Sequence, residues 1–255
     1  MSLDRKIGLA LGSGLARGLA HIGVLKVLLQ AGVRIDYIAG TSMGSVVAAL
    51  FAGGLKMKFI ERLALRISRQ IWMDFTLPRM GLIAGDRLEE LLYLLTGRRN
   101  IEEFSLPLAV VAVDLESGKR VVLRSGPAAR SVRASCSIPG IFSPVELGGK
   151  LLVDGGVLER VPSSVVREMG ADLVIAVDVD YDAAEYKINN IFDVLSKTLD
   201  IMSREICRSQ YQEANILITP AMKDLAPFHF HRAKEAIARG EEAARQALPL
   251  LKLMI

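Results

Sequence analysis

Short apolar runs punctuate the chain at Ile7–Leu11, Ile35–Ala39, Leu108–Val113, Arg120–Leu123, Leu151–Val153, Leu173–Val179 and Ile216–Ile218. Most are continuous rather than alternating, the pattern of strands buried on both faces. Between several of them apolar residues recur at helical spacing, as over Leu19–Leu29, Ser45–Phe51 and Leu55–Met73. The alternation predicts an α/β fold, a three-layer α/β/α sandwich around a central, mostly parallel sheet. One antiparallel hairpin is expected, because only Glu116-Ser117-Gly118 and its neighbours separate the runs ending at Val113 and Leu123. No internal repeat, low-complexity tract or linker interrupts the pattern. A single domain over 1–255 is therefore expected, with a core over about 6–220 and a C-terminal helical segment over about 228–255.

Composition sharpens this. A hydrophobic content of 51% fits strands covered on both sides. Lys+Arg 32 against Asp+Glu 28 leaves a net charge of +4, too mild to argue for nucleic acid but suited to an anionic lipid surface. Two cysteines, Cys136 and Cys207, make no disulfide framework and point to a reducing compartment. The charged start at Asp4, Arg5 and Lys6 runs into a glycine-rich loop, and no apolar run reaches the roughly 18 residues a spanning helix needs. The expectation is a cytoplasmic protein with peripheral contact at the inner face of the membrane.

Two helical stretches each have two readings. Lys58, Arg62, Arg66 and Arg69 share a face nearly opposite Ile60, Ala64, Ile67 and Ile71, which suits either a solvated surface helix or an interfacial helix on anionic lipid. Ile188, Phe192, Leu195, Leu199, Met202 and Ile206 form a stripe that suits packing on the sheet better than a seam with a partner helix.

Chemistry concentrates at the ends of strand-like runs. Gly40-Thr41-Ser42-Met43-Gly44 lies where one apolar run ends and a helical one begins. A serine on so sharp a turn exposes its hydroxyl beside a helix N-terminus, and the flanking glycines relieve crowding, so Ser42 is a candidate nucleophile. Gly12-Ser13-Gly14-Leu15-Ala16-Arg17-Gly18 follows the first run in the same way; its backbone N–H groups suit either a phosphate or an oxyanion. A dinucleotide frame fails because Arg17 stands where glycine is needed, and no Walker lysine follows. A base for Ser42 can come from a histidine or a carboxylate. His21 is expected to point away from the loop or pack against a neighbour. His229 and His231 keep a Ser-His-Asp triad open but find no metal-ligand partners. Asp114, Asp154 and Asp178 each follow a buried run, and spacing alone does not choose among them.

Taken together, Gly14-Leu15-Ala16-Arg17-Gly18-Leu19-Ala20-His21-Ile22-Gly23-Val24, Gly40-Thr41-Ser42-Met43-Gly44 and Asp154-Gly155-Gly156 resemble the bacterial patatin-like phospholipase family, as does Ser135-Cys136-Ser137-Ile138-Pro139-Gly140-Ile141-Phe142. The resemblance implies hydrolysis of fatty-acyl esters of (lyso)phospholipids or related lipids by a Ser-Asp dyad. Ser42 would be the nucleophile and Asp154 the general base. Gly14, Leu15, Ala16, Arg17 and Gly18 would supply the oxyanion hole, and Gly40, Gly44, Gly155 and Gly156 would support the motifs. It implies no metal and no organic cofactor, a lipid or acyl-ester substrate, and no nucleic acid partner. Ser13 and Leu15 depart from the family's glycine-rich loop, and Leu15 would be strained if that position requires φ > 0. Other readings are a histidine-dependent α/β-hydrolase, an acyltransferase and a catalytically weak lipid-binding or regulatory protein.

Overall fold

The computed structural model describes residues 5–66, 74, 80–181, 187–207 and 210–255. Ile67, Arg69 and Ile71 of the predicted basic helix lie outside the described residues, as do the side chains of Ile206 and Cys207. The strands are β1 (Ile7–Leu11), β2 (Tyr37–Thr41), β3 (Gly81–Ile83), β4 (Leu108–Asp114), β5 (Lys119–Leu123), β6 (Gly140–Phe142), β7 (Val145–Leu147), β8 (Lys150–Asp154), β9 (Leu173–Val177) and β10 (Ile216–Ile218). The helices are α1 (Ala20–Gln30), α2 (Met43–Ala52), α3 (Met57–Arg66), α4 (Asp86–Leu95), α5 (Ala128–Ser135), α6 (Ser163–Glu168), α7 (Ile191–Cys207) and α8 (Ala233–Met254).

The main sheet runs β10-β9-β1-β2-β4-β8-β7, with β5 also on β4. From β10 to β4 every pairing is parallel, whereas β5, β8 and β7 are antiparallel, so the sheet is mixed beyond the expected hairpin. Alternation along the parallel strands sorts side chains by size. Leu9, Leu11, Ile38, Val110, Ile175 and Val177 enter the larger core with α1, α2 and α8. Ala10, Ala39, Ala109, Val174 and Ala176 face a thinner layer under Val165 and Val166 of α6. Both faces are covered, which is why these strands read as continuous apolar runs.

Element boundaries moved where polar side chains claimed backbone groups. The run expected from Ile35 begins pairing at Tyr37, because the Asp36 carboxylate accepts the Ile7 N–H at 2.9 Å. The run expected to Val179 stops at Val177, where Asp178 turns off to accept the Tyr211 hydroxyl. The helix expected from Leu19 is preceded by a 3₁₀ turn over Leu15–Leu19. Only part of the stripe packs inward: Phe192, Leu195 and Leu199 touch the core, whereas Ile188, just ahead of α7, and Met202 are exposed.

Candidate active site

Register explains how two chain segments far apart in sequence meet. On β4, Val110 and Val111 pair with both β2 and β5, and Ala112 to Asp114 pair with both β5 and β8. A strand has two edges, so β2 and β8 share one edge of β4, end to end. β2 stops with Thr41 opposite Val111, and β8 arrives antiparallel and stops with Asp154 opposite Ala112. The two chains converge on adjacent rungs and both must turn away. β2 does so through Ser42 into α2; β8 does so through Gly155 and Gly156.

The turn at Ser42 is tight. Its φ is 53°, a left-handed value for a residue with a side chain, and its N–H donates to Ser135 Oγ at 2.8 Å. Ser135 Oγ donates in turn to the Val111 carbonyl at 2.6 Å, which ties the turn to β4. A Cβ on Gly40 would lie 2.5 Å from the Gly44 carbonyl carbon, and one on Gly44 would lie 2.1 Å from the Leu11 carbonyl oxygen, so both flanking positions exclude larger residues.

Ser42 and Asp154 are both buried and line one cleft, and the Ser42 hydroxyl lies close enough to favour the ionised Asp154 carboxylate. The carboxylate accepts the Gly156 N–H at 2.8 Å. Burial pushes the Asp154 carboxyl up to about 6, while the Ser42 hydroxyl, the Gly156 N–H and the Arg160 charge oppose that rise. A carboxylate so placed is ionised at neutral pH yet basic enough to take a proton from a neighbouring hydroxyl. The other two aspartates are spent elsewhere. Asp114 accepts the Ser117 hydroxyl at 2.6 Å in the β4–β5 hairpin, and Asp178 accepts Tyr211 and the Asp180 N–H.

The histidines stand apart from this pair. Of the two alternatives for His21, it packs against a neighbour rather than pointing away: it is buried and faces back to the loop, with Nε2 2.7 Å from the Gly12 carbonyl. Burial lowers its pKa to about 4, so it is neutral and, with this geometry, Nε2 donates. His229 and His231 lie with ring centroids 5.1 Å apart and line neither cleft that opens on Ser42. Among the described residues no three His, Cys, Asp or Glu side chains cluster as a metal site would require.

In the glycine-rich loop, Leu15 has φ 48°, the strained conformation its position raised in the sequence. The Ala16 N–H donates to the Pro227 carbonyl at 2.9 Å and the Arg17 N–H to the Gly14 carbonyl at 3.0 Å. The predicted donor set therefore narrows: Ala16 and Arg17 are engaged, and Gly14 and Leu15 make no such bond among the described contacts. The Arg17 side chain pairs with Asp180 and, at 3.3 Å, with Asp200 on α7. Arg160 pairs with the same two carboxylates, at 3.1 Å to Asp200. This buried four-charge network joins the loop, the segment after β8, the end of β9 and α7. Sequence reasoning missed it, since no spacing links its members.

Two clefts open on Ser42, and Leu15 and Ile138 line both. The larger, about 890 Å³ counted to its mouth, is walled by α1, α2, α3 and α4, and only Ser42 and Cys136 break its apolar lining. The smaller, about 500 Å³, is the more polar of the two, bounded in part by Ser13, Arg17, Asp154, Arg160, Asp180 and Asp200. Cys136 lies beside Ser42 and Ser45; burial and the Asp154 charge push its thiol up to about 12, so it stays protonated.

A serine and a carboxylate joined at the end of a mixed α/β sheet, beside a glycine-rich loop, can be compared with known proteins. The profile of the patatin-like phospholipase family matches residues 9–166. The chain belongs to that family. An NTE family protein of Mycobacterium tuberculosis is 38% identical over 181 residues, covering 70% of this chain and 50% of the relative. Lysophospholipase NTE1 of Pyricularia oryzae is 34% identical over 186 residues, 69% of this chain and 12% of that protein. The chain thus spans half or less of the length of these relatives. Among solved structures, VipD from Legionella pneumophila superposes with a TM-score of 0.67 at 13% identity, covering 97% of this chain and 67% of VipD. The type III effector protein ExoU superposes with a TM-score of 0.52 at 11% identity, covering 97% of this chain and 53% of ExoU. These likenesses bear on the patatin fold alone.

Proposed function

We propose that this patatin-family chain hydrolyses fatty-acyl esters of lysophospholipids or related lipids, with Ser42 as nucleophile and Asp154 as general base. One observation carries the reading: the buried Ser42 and Asp154 face the same cleft, at the point where Ser42 also opens on the apolar cleft. Family membership and the lysophospholipase relative support the same chemistry. In the first step Ser42 Oγ attacks the ester carbonyl while its proton passes to Asp154. The oxyanion is held by the N–H groups of Gly14 and Leu15, which make no backbone hydrogen bond among the described contacts. Asp154 returns the proton to the leaving alcohol, the acyl group stays on Ser42, and water deprotonated by Asp154 then releases the fatty acid. The acyl chain occupies the apolar cleft, and the head of the leaving group lies in the polar one.

Residues 1–255 act as one domain in this proposal, and α8, packed beside α1 in the main core, supports that reading. Peripheral contact with anionic membrane also belongs to it. The outer face of α3 exposes Lys58, Phe59, Arg62, Leu65 and Arg66, while its inner face lines the apolar cleft through Ile60, Leu63 and Ala64.

Hydrolysis of p-nitrophenyl acyl esters tests the dyad. Ser42→Ala and Asp154→Ala should each lower kcat by about 10⁴-fold or more, and the His229→Ala/His231→Ala double variant should stay within a few-fold of wild type. Loss in the histidine variant with activity kept in Asp154→Ala would replace the dyad by a triad.

A further inference from the structure

The apolar cleft follows one helix. Met43, Val46, Val47 and Leu50 line it, a spacing of three, one and three that places them on one side of α2. That helix starts at the Ser42 turn, so its axis measures distance from the hydroxyl. At a rise of 1.5 Å per residue, Val46 stands about 6 Å and Leu50 about 12 Å from Ser42 along the axis. Beyond Leu50 the chain turns at 53–56 into α3, whose Ile60 also lines the cleft. Leu50 and Ile60 are 4% and 1% exposed, so among the described residues buried side chains wall the cleft at that end.

We infer that α2 acts as a ruler for the acyl chain, with Val46 and Leu50 as the residues that set the chain length accepted. An extended chain advances about 1.2 Å per bond, as a polypeptide does at 3.6 Å per three-bond residue. A depth of about 12 Å therefore houses about ten carbons, and a bulky residue at position 46 would leave room for about five. The lining offers hydrocarbon to every methylene and no polar partner beyond Ser42 and the protonated Cys136. Each methylene buried raises affinity about fourfold until the end wall is met, which makes selection by length steep. The substrate class named by this geometry is a single medium-length acyl chain, or a longer one whose end must displace Leu50. The inference rests on the hydrolase reading for its catalytic readout but not for its binding readout.

The test uses both. Rates of hydrolysis of butyryl, octanoyl, dodecanoyl and palmitoyl p-nitrophenyl esters are compared for wild type, Val46→Phe and Leu50→Ala. Displacement of a fluorescent fatty acid by octanoate, dodecanoate and palmitate is measured on the same proteins. Val46→Phe should lower the dodecanoyl-to-butyryl ratio of kcat/KM by at least about tenfold, and Leu50→Ala should raise the palmitoyl-to-octanoyl ratio several-fold. Affinities for the free acids should shift in the same directions. Val46 is only half-buried, so the larger ring enters cleft space rather than packed core, and Leu50→Ala covers the case in which it fails to fold. Ratios and affinities within twofold of wild type in both variants would overturn the ruler while leaving hydrolysis standing. Length-dependent binding without any ester hydrolysis would keep the ruler and overturn the hydrolase.

Discussion

Asp154 carries two opposing demands. Folding removes its carboxylate from water, and the move from an ordinary 3.8 up to about 6 records that cost. Between those values the folded chain holds more protons than the unfolded one, so stability falls as pH rises from about 4 to about 6 and the full penalty persists above. Asp154→Asn removes the charge while keeping an oxygen for Ser42 and the Gly156 N–H. It should stabilise the fold by up to about 3 kcal/mol at pH 8 in urea titrations, and much less at pH 4, while abolishing activity. For wild type, kcat/KM should climb with pH through an apparent pKa near 6 and then level, because the base works only when ionised. Leu15 poses the reverse case. At φ 48° a side chain costs about 1–2 kcal/mol, so Leu15→Gly should gain roughly 1 kcal/mol after the entropy of glycine is subtracted. It would also remove one of the apolar side chains shared by the two clefts and so blur selectivity for the acyl chain.

At the scale of elements, part of the site was legible and part was not, for definable reasons. Ser42 announces itself because a sharp strand-to-helix turn demands glycines on both sides, and sequence records glycines. Strands β1 and β10 match the apolar runs Ile7–Leu11 and Ile216–Ile218 because both faces are buried. Asp154 could not be chosen over Asp114 and Asp178 from spacing. The choice is made by register on β4, where β8 shares an edge with β2, and antiparallel pairing leaves no local mark. Strands β3, β6 and β7 escaped notice because three residues are too few to show a periodicity. The network of Arg17, Arg160, Asp180 and Asp200 is the extreme case, held together wholly by tertiary contact. Asp200 is its only member on α7, so Asp200→Ala should cost roughly 1–3 kcal/mol. Amide exchange should show that loss concentrated in α7 and the loop at 13–18, with β1 and β9 keeping the protection set by global unfolding.

For the whole molecule, the placement of α3 couples substrate access to a surface. The helix presents hydrocarbon inward to the cleft and Lys58, Arg62 and Arg66 outward, with Phe59 49% and Leu65 48% exposed among them. Glu61, the acidic residue on this helix, is engaged by Lys26 at 2.9 Å and does not cancel the outward charge. No described helix is long and apolar enough to cross a membrane, so contact through α3 would be interfacial. Each cation near an anionic bilayer contributes about 1 kcal/mol, and the interaction is screened within about 10 Å at 0.1 M salt. The protein should therefore co-sediment with vesicles rich in phosphatidylserine at low ionic strength and release as salt rises. Reversing Lys58, Arg62 and Arg66 to Glu should weaken that binding by roughly 100-fold, while hydrolysis of a dissolved short-chain ester is retained. Equal binding to zwitterionic vesicles, or binding indifferent to salt and to the reversal, would locate the lipid contact elsewhere. The exposed apolar residues Ile191, Val194, Ile201 and Met202 of α7 would then be the next to replace, since that helix borders the polar cleft on Ser42.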